Sequence, residues 1–456
     1  MMSFGRFRGI RLCGNWAWSL TLVALLIPAI VIAAEPKARS QAEKEEPAGP
    51  NEKPILGLWQ IDTLSLSSGE NIRERVEDQK KAYNAQINSD VLMLRVGKTV
   101  FGELKYDLHT NSRPWTIDVS SKDGKMLGIC EHDGNQLKIA LNDADKSRSS
   151  DFRNDKNDLV LLLSRPRTMS ILVLDADGRN LRHLPNFDGT TIGSPEWSHD
   201  GQRLAFDGWR PALGENNRDS HIFICNVDGS GLKDLGPGCM PSWSPDDKRL
   251  TYVQYFGQDH VWIRDVDGAN PELICSDAWC SQWSPVRNEI AYTKFRDNLY
   301  VYNADTKQTR ELLHGQYVAV HWGMSWSPDG KWICFRGRRP DGRAETVAVH
   351  AEGDEKGFKV LIPTDAMPDI KAAGMTSSWG GNGNQIVATI IRKSQPVPKP
   401  YIFDFTGKAP PMPFPGFPAD WLSGDIAWSS DGKRIAITGQ RVEGEKSAAA
   451  TGGSAS

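Results

Sequence analysis

Short apolar strands alternate with polar turns along most of the chain, and one such pattern occurs six times between residues 196 and 437. In each copy a Trp-Ser or Trp-Gly step leads through a turn rich in Pro, Asp, Gly and Asn into a strand that is apolar on both faces. The period is that of one four-stranded propeller blade. The six tryptophans, predicted to be structural, are Trp197, Trp243, Trp283, Trp326, Trp379 and Trp428.

A second hairpin pattern also occurs six times, but it is out of step with the first. Its first copy, at 171–181, precedes Trp197, whereas only a polar tail follows the last tryptophan repeat. Pairing the first copy with the last tryptophan hairpin would complete the sixth blade and leave no free sheet edge. The sequence therefore predicts an all-β fold with a six-bladed propeller over residues 166–440.

The turn sequence SWSPDG, the apolar strand after it and the VDG hairpin resemble the TolB-like (WD40-like, PD40-type) propeller repeat. This resemblance implies a non-enzymatic binding protein whose propeller is a protein-interaction platform in the cell envelope. The implied partner is an envelope protein or a peptidoglycan-associated lipoprotein. Because propellers carry unrelated activities, a hydrolase or carbohydrate-binding protein with its site in the propeller channel remains the alternative.

A second β-rich unit is predicted at 54–165, where short strands alternate with turns around one helix-like polar stretch at 72–87. Leu56–Trp59, Pro114–Asp118 and Gly128–Glu131 resemble a lipocalin-like domain of exported bacterial proteins. The resemblance implies a small β-barrel, and a small apolar ligand bound there is a third hypothesis. The chain departs from that family at Cys130, where an aromatic residue is usual, and at 149–152.

The first 34 residues indicate export. Arg6, Arg8 and Arg11 precede an apolar run that ends in small residues, as in a signal peptide. The run is also long enough for an uncleaved anchor, which would be the protein's contact with a membrane. We expect a periplasmic or envelope-associated protein with a disordered linker at 35–53 and a disordered tail at 441–456.

Composition and motifs indicate neither a nucleic-acid-binding surface nor a catalytic or metal site. The chain has 54 basic and 57 acidic residues, and its net charge of −3 argues against a nucleic-acid partner. The nucleophile motif GxSxG does not occur, and no Cys/His spacing suggests a metal, so no catalytic residue, metal or cofactor is predicted. Cys280 could form a disulfide with Cys239 or with Cys275, and both pairings stay open.

The longer connections between strands carry the candidate binding residues. In a blade whose strands are called a to d from the channel outward, the b–c and d–a connections emerge on one face, and here they are rich in Arg and Trp. Both residue types are enriched at binding hot spots, and clustered arginines favour an anionic partner. Alternatively, the tryptophans plug the channel mouth and the arginines are solvated. The candidate residues are Trp209, Arg210, Trp279, His321, Trp322, Arg336, Arg338, Arg339, Arg343 and Trp421.

Overall fold

The computed structural model describes residues 55–442 except 67–82, 123, 186, 188, 257, 296, 322 and 364–368. The predicted signal segment, the linker and nearly all of the predicted tail lie outside the described residues. The chain divides into two compact units, one comprising Met1–Pro166 and Ala212–Gly214, the other Arg167–Pro211 and Glu215–Ser456. Each unit is described by itself.

The first unit contains a closed antiparallel barrel of eight strands, in which each strand pairs with the next and β8 pairs with β1. The fully buried Trp59, Leu137 and Leu163 help fill it, as expected of a barrel of this strand number. The predicted small barrel is confirmed, while its lipocalin-like character stays a prediction. The strands are β1 (Gly57–Leu66), β2 (Tyr83–Ile87), β3 (Val91–Val96), β4 (Thr99–His109), β5 (Trp115–Ser121), β6 (Gly124–His132), β7 (Gln136–Asp143) and β8 (Leu159–Ser164).

The predicted helix-like stretch at 72–87 is wrong at its C-terminal end. Tyr83–Ile87 is strand β2, which pairs with both β1 and β3. Polar residues along this stretch suggested a helix, but Ala85 and Ile87 face the barrel core two residues apart, which is the period of a strand. Residues 72–82 lie outside the described residues.

Trp59, one of the residues behind the lipocalin-like resemblance, is a core residue of the barrel. Its indole nitrogen donates to the Ile55 carbonyl at 2.8 Å, and the Arg165 guanidinium lies 3.8 Å from its ring centre. The His132 ring meets the same indole edge-on at 5.6 Å. Burial and the neighbouring Arg165 lower the pKa of His132, so this imidazole is neutral at pH 7.

The second unit contains six antiparallel sheets, which we call blades 1 to 6. Blade 1 has strands β11 (Thr191–Trp197), β12 (Arg203–Trp209), β13 (His221–Asn226) and β14 (Lys233–Pro237); blade 2 has β15 (Cys239–Trp243), β16 (Arg249–Phe256), β17 (Gln258–Asp265) and β18 (Glu272–Ser276); blade 3 has β19 (Ala278–Trp283), β20 (Glu289–Lys294), β21 (Asn298–Asn303) and β22 (Thr309–Glu311).

Blade 4 has a split inner strand, because β23 and β24 both pair with β25. Its strands are β23 (Ala319–Val320), β24 (Ser325–Trp326), β25 (Trp332–Arg338), β26 (Ala344–His350) and β27 (Phe358–Pro363). Blade 5 has β28 (Ile370–Trp379), β29 (Gln385–Arg392), β30 (Lys399–Asp404) and β31 (Met412–Pro413). Short 3-10 turns occur at Asn154–Lys156, Pro211–Leu213, Asn217–Asp219 and Asp354–Lys356.

Blade 6 joins the two ends of the propeller. Its strands are β9 (Ser170–Asp175) and β10 (Arg182–His183) from the start of the unit, and β32 (Trp421–Trp428) and β33 (Arg434–Arg441) from its end. β9 pairs with β33 from Ser170↔Gly439 to Asp175↔Arg434. The predicted closure, and with it the six-bladed propeller, is confirmed.

Neighbouring blades are linked by a contact between an arginine and a repeat tryptophan. An arginine at the start of strand b of one blade, or for blade 3 in the turn before that strand, lies over the tryptophan of the next blade. The contact combines cation–π attraction with burial of the aromatic face. In the pair that joins blades 1 and 2, the guanidinium also donates to the next blade's Asp247 carbonyl at 3.2 Å. The pairs are Arg434 on Trp197 (4.7 Å), Arg203 on Trp243 (4.5 Å), Arg249 on Trp283 (5.0 Å) and Arg287 on Trp326 (5.9 Å).

The boundary between blades 4 and 5 uses a different contact. Trp332 occupies the arginine position in blade 4, and it packs against Phe405, which in turn lies 4.7 Å from Trp379. The indole nitrogen of Trp379 donates to Gly383 of its own turn at 2.9 Å, whereas that of Trp326 crosses to the Gln282 carbonyl of blade 3 at 3.0 Å. Aromatic packing therefore replaces the arginine link between blades 4 and 5.

Among the described residues, no helix is both long and apolar enough to cross a membrane.

Candidate functional site

A channel runs through the centre of the propeller, with a cavity of about 290 Å³ lined by the innermost strands of all six blades. In five of the six blades the pairing between inner strand and strand b shifts register just before the repeat tryptophan. Bulges of this kind turn backbone amides and side chains out of the sheet. The residues three positions before the tryptophans all line the cavity: Ser194, Met240, Cys280, Gly323, Thr376 and Asp425.

Two carboxyl groups hold these bulges in register between blades. Asp207, 4% exposed, accepts a hydrogen bond from the Met240 amide at 2.8 Å, and Asp425 accepts one from the Ser194 amide at 2.9 Å. Gly193 lies between the two carboxyls, because a Cβ there would be 2.6 Å from Asp207 Oδ1 and 3.5 Å from Asp425 Oδ2. Burial raises the pKa of Asp207 to about 7, and the neighbouring Asp425 adds to this.

A third acid bridges the channel. Glu196 of blade 1 accepts a hydrogen bond at 2.8 Å from the side-chain amide of Gln282, which belongs to blade 3. Although its side chain faces the channel, protein surrounds it, and this burial raises the pKa of Glu196 to about 7. The bond joins two blades that are not neighbours, so it closes part of the channel's cross-section.

The channel also contains one histidine–serine contact. His199 Nδ1 lies 3.3 Å from Ser430 Oγ, and both residues line the cavity. A nucleophilic serine needs its histidine oriented by a third group, usually a carboxylate on the other ring nitrogen. Among the described residues, His199 Nε2 is buried without a hydrogen-bond partner. The contact therefore forms a pair, not a triad.

Burial makes five of the six described cysteines weak nucleophiles. All six are free thiols, so neither pairing considered for Cys280 forms. Burial raises the pKa of Cys280 to about 11 and keeps its channel-facing thiol protonated. Only one group of possible metal ligands is found in the described residues, where His314, Asp354 and Glu355 place ligand atoms within 4.8 Å of one another. His314 Nδ1 and Asp354 Oδ1 lie 2.8 Å apart and thus satisfy each other.

The face that carries the b–c and d–a connections, which we call the loop face, contains most of the predicted binding residues. Three of its arginines are paired within the chain. Arg210 lies 3.7 Å from Glu215, and Arg343 lies 2.7 Å from Asp341. Arg339 contacts the buried Glu345. Carboxylates of the same chain largely compensate these three positive charges. The three arginines therefore attract an anionic partner less than their number alone suggested.

Two arginines and a histidine of blade 4 form a separate basic cluster. Arg336 is half-buried and Arg338 is exposed, and both lower the pKa of the half-buried His321 together with burial. The His321 amide donates to the Arg336 carbonyl at 2.9 Å, which places the histidine beside β25. The structure therefore brings His321, Arg336 and Arg338 together, while their role in binding stays a prediction.

The predicted tryptophans are scattered. Trp209, at the end of β12 in blade 1, is half-buried, and so is Trp421 at the start of β32 in blade 6, where it meets the His183 ring at 5.0 Å. Trp279 is 6% exposed and donates to the Tyr255 hydroxyl at 3.1 Å, so it is a core residue and the expectation of a surface site there is wrong. Trp322 lies outside the described residues.

The sequence analysis missed Phe295, the most exposed large apolar residue of the described chain. It sits in the b–c turn of blade 3 with 68% of its surface exposed and a left-handed φ of 52°. Its amide donates to the Asp277 carbonyl at 3.1 Å, which fixes the backbone beneath the ring. An aromatic residue in a tight turn, where Gly or Asn is usual, is the signal that could have identified it.

Similar proteins were found among curated sequences and solved structures, whereas no family model matches the chain. An uncharacterized protein of Agrobacterium fabrum (Atu1656) is 25% identical over 176 residues, which cover 35% of this chain and 55% of that protein. The chain thus spans about half the length of this relative. A putative TolB from Agrobacterium tumefaciens is 17% identical, with a TM-score of 0.47, over 60% of this chain and 98% of that one.

Other solved structures share the architecture at lower similarity. TolB from Acinetobacter baumannii is 13% identical (TM-score 0.42, 69% of this chain and 79% of that one). An oligogalacturonate lyase from Vibrio parahaemolyticus is 12% identical (TM-score 0.39, 74% and 96%). The strand pairing of this chain shows by itself that the larger unit is a six-bladed propeller closed through blade 6. Likenesses this distant say nothing about function, which rests on this chain's own residues.

Proposed function

We propose that this chain is an exported, non-enzymatic binding protein whose TolB-like propeller is a protein-interaction platform in the cell envelope. The proposed partner is an envelope protein or a peptidoglycan-associated lipoprotein, bound on the loop face. Export is supported by the N-terminal sequence pattern. The observation that carries the choice of surface is the exposed ring of Phe295, whose backbone is held in a left-handed conformation.

Phe295 is unusual in both exposure and backbone conformation. A non-glycine residue with a left-handed φ costs about 1 kcal/mol, and an aromatic ring in water gives up the free energy of its burial. Strain of this kind persists where the surrounding structure fixes it, and it is common at binding sites. A partner that covers the ring removes its apolar surface from water, which favours binding. Phe295 therefore has the properties of an interface anchor.

The channel chemistry supports a binding role more than a catalytic one. The His199–Ser430 pair lacks a third group in the described residues, and the channel-facing thiol of Cys280 is protonated at pH 7. Asp425 accepts a backbone amide, and Glu196 accepts the Gln282 amide. Each of these contacts joins two blades, so the acids are occupied in holding the propeller together.

Site-specific photocrosslinking in living cells tests the proposal. A photoreactive phenylalanine analogue replaces Phe295 in one variant and Leu232 in a control. Leu232 is a 42% exposed residue in a c–d turn, on the opposite face. We expect a discrete envelope-protein adduct from position 295 and not from position 232. Equal adducts from both positions would contradict the assignment of the loop face, and the absence of any adduct at 295 would contradict the platform itself.

A second candidate function is carbohydrate binding or glycoside hydrolysis in the channel. It is favoured by the cavity of about 290 Å³, whose walls combine repeat tryptophans with the acids Glu196 and Asp425. Calorimetric titration with acidic and neutral oligosaccharides, repeated with Glu196→Gln, distinguishes it. Saturable binding that Glu196→Gln abolishes would favour this candidate over the platform.

A further inference from the structure

The cluster of Arg336, Arg338 and His321 in blade 4 is the strongest feature of the propeller that the fold itself does not use. At the position of Arg336 in strand b, the other blades have Asp207, Val253, Thr293, Thr389 and Thr438. Those side chains are small or acidic, and all three threonines bond to an inner strand: Thr293 Oγ1 donates to the Trp279 carbonyl, Thr389 Oγ1 donates to the Gly424 carbonyl, and Thr438 Oγ1 accepts from the Asp425 amide. Blade 4 thus has a guanidinium where its neighbours have a structural residue.

The charge of this cluster is not balanced within the described protein. No hydrogen-bond acceptor in the described residues engages Arg336 or Arg338, and Arg336 Nε is buried without a partner. Directly opposite Arg336 on β26 stands the neutral Thr346. A half-buried guanidinium without a counterion is less well solvated than one in water, so a ligand that supplies an anion is favoured there.

The contrast with Arg339 and Arg343 shows that this imbalance is local. Those two side chains lie in the connection that follows β25, and each contacts a carboxylate of its own blade, Glu345 and Asp341 respectively. The net charge of the whole chain is −3, so its long-range field repels anions. Attraction at Arg336 and Arg338 is therefore short-ranged and selective for a group that fits the cluster.

The positive charge and the planar shape of the guanidinium groups favour a carboxylate as the ligand. Two arginines beside a neutral histidine provide two positive charges, and a planar guanidinium pairs with a planar carboxylate through two parallel hydrogen bonds. An apolar contact lies next to it, because Val318 is 48% exposed and its amide donates to the Arg338 carbonyl at 2.8 Å. Acidic and apolar side chains occur next to each other in peptide segments.

We infer that the edge of blade 4 formed by Arg336, Arg338, His321 and Val318 binds a carboxylate-bearing side chain of an acidic peptide segment, with an apolar neighbour on Val318. This inference rests on the proposed function, since it names the chemistry by which the platform recognises its partner. The carboxylate pairs with the two guanidinium groups.

Fluorescence anisotropy with the full chain tests the inference. The probe is a fluorescein-labelled peptide of alternating Glu and Leu with an amidated C-terminus, and its counterpart has Gln in place of Glu. We expect saturable binding of the Glu peptide, at least about tenfold weaker binding of the Gln peptide, and a similar loss in Arg336→Met. Arg336→Lys keeps the charge and should lose less. Arg343→Gln, in the connection that follows β25, is the matched control. This variant should bind the Glu peptide as the parent does.

Three results would overturn the inference. They are equal affinity for the Glu and Gln peptides, unchanged affinity in both Arg336→Met and Arg338→Gln, and displacement of the peptide by inorganic phosphate at concentrations where acetate has no effect. The thermal midpoint of each variant shows that it is folded. Crosslinking at position 295 distinguishes the two proposals. If the adduct at position 295 still forms although the chain does not bind the Glu peptide, the interaction platform is retained and only the carboxylate-binding site in blade 4 is refuted.

Discussion

Asp207 offers a test of how the propeller holds its inner strands, because its carboxyl is buried between blades 1 and 2. The carboxylate accepts the Met240 amide with one oxygen, and the other oxygen faces Gly193 and Asp425. Asp207→Asn keeps the shape and an acceptor for Met240, while its amide group can donate toward Asp425. The substitution therefore removes the buried charge and little else.

The size and sign of the effect follow from the pKa of Asp207. Folding raises it from 3.8 to about 7, mainly through burial, so the folded protein holds a proton that the unfolded chain releases between these pH values. Stability contributed by the protonated form is complete below pH 4 and is lost as pH rises toward 7. At about 1.36 kcal/mol per pKa unit, the wild-type loss reaches about 4 kcal/mol at pH 8. Asparagine does not titrate and has no such loss.

The assay is the thermal midpoint of the propeller transition, measured for both proteins between pH 4 and pH 8. We expect the two midpoints to agree within about 2 °C at pH 4 and Asp207→Asn to be higher by on the order of 8 °C at pH 8. Glu196 titrates in both proteins, so the difference between the two curves reports Asp207 together with its interaction with Asp425. Parallel curves across the whole range would refute the reasoning.

A control with the opposite sign is available in a turn. Asp246 is exposed, and hydrogen bonds from Ser244 and the Lys248 amide lower its pKa. The stability that it contributes is present at neutral pH and is lost as pH falls below its unfolded pKa. Asp246→Asn should therefore lower the thermal midpoint at pH 7 and not at pH 3, opposite to the pattern of Asp207→Asn.

Three further predictions concern packing. Arg203→Met should destabilise the propeller by about 1–2 kcal/mol in chemical denaturation, because it removes the cation–π and hydrogen-bond link between blades 1 and 2. Gly416→Ala should be strongly destabilising, since a Cβ would lie 1.9 Å from the Gly178 carbonyl, whereas Gly383→Ala, with a similar φ and open space, should cost about 1 kcal/mol by the same measurement. Trp279→Phe should lose about 1 kcal/mol of stability and leave crosslinking at position 295 unchanged.

The fold was largely predictable because its determinants are local and repeated. Each blade carries its own turn residues and its own apolar strand. Six copies at a regular spacing therefore predict the fold more strongly than any single copy does. The closure followed from the same count, since the hairpin before Trp197 had no other partner. The helix-like stretch failed at Tyr83–Ile87 because the pairing of that strand with β1 and β3 is a tertiary effect that polar composition does not show.

The candidate site was less predictable because it depends on which charges find partners. Arg339 and Arg336 are three residues apart in one Arg-rich stretch, yet one contacts Glu345 and the other has no acceptor in the described residues. Arg336 lies within β25, whereas Arg339 lies in the connection that follows it and reaches Glu345 of the next strand. Trp279 became a core residue because β19 begins at Ala278, one residue earlier than a connecting loop would allow. Such differences of one residue lie below what a sequence pattern can resolve.

The pairing of β9 with β33 imposes an order in time. β9 is finished when Asp175 has been made, but its partner begins only at Arg434, so at roughly 5–20 residues per second of synthesis β9 waits about 13–50 s. During that interval Ile171, Leu172 and Val173, which end fully buried, have one ladder edge with nothing to pair. Blade 6 is therefore both the first begun and the last completed, and the ring cannot close before β33 has been made. Until then the unpaired edge of β9 is open to pairing with other strands, a hazard that the finished propeller no longer displays.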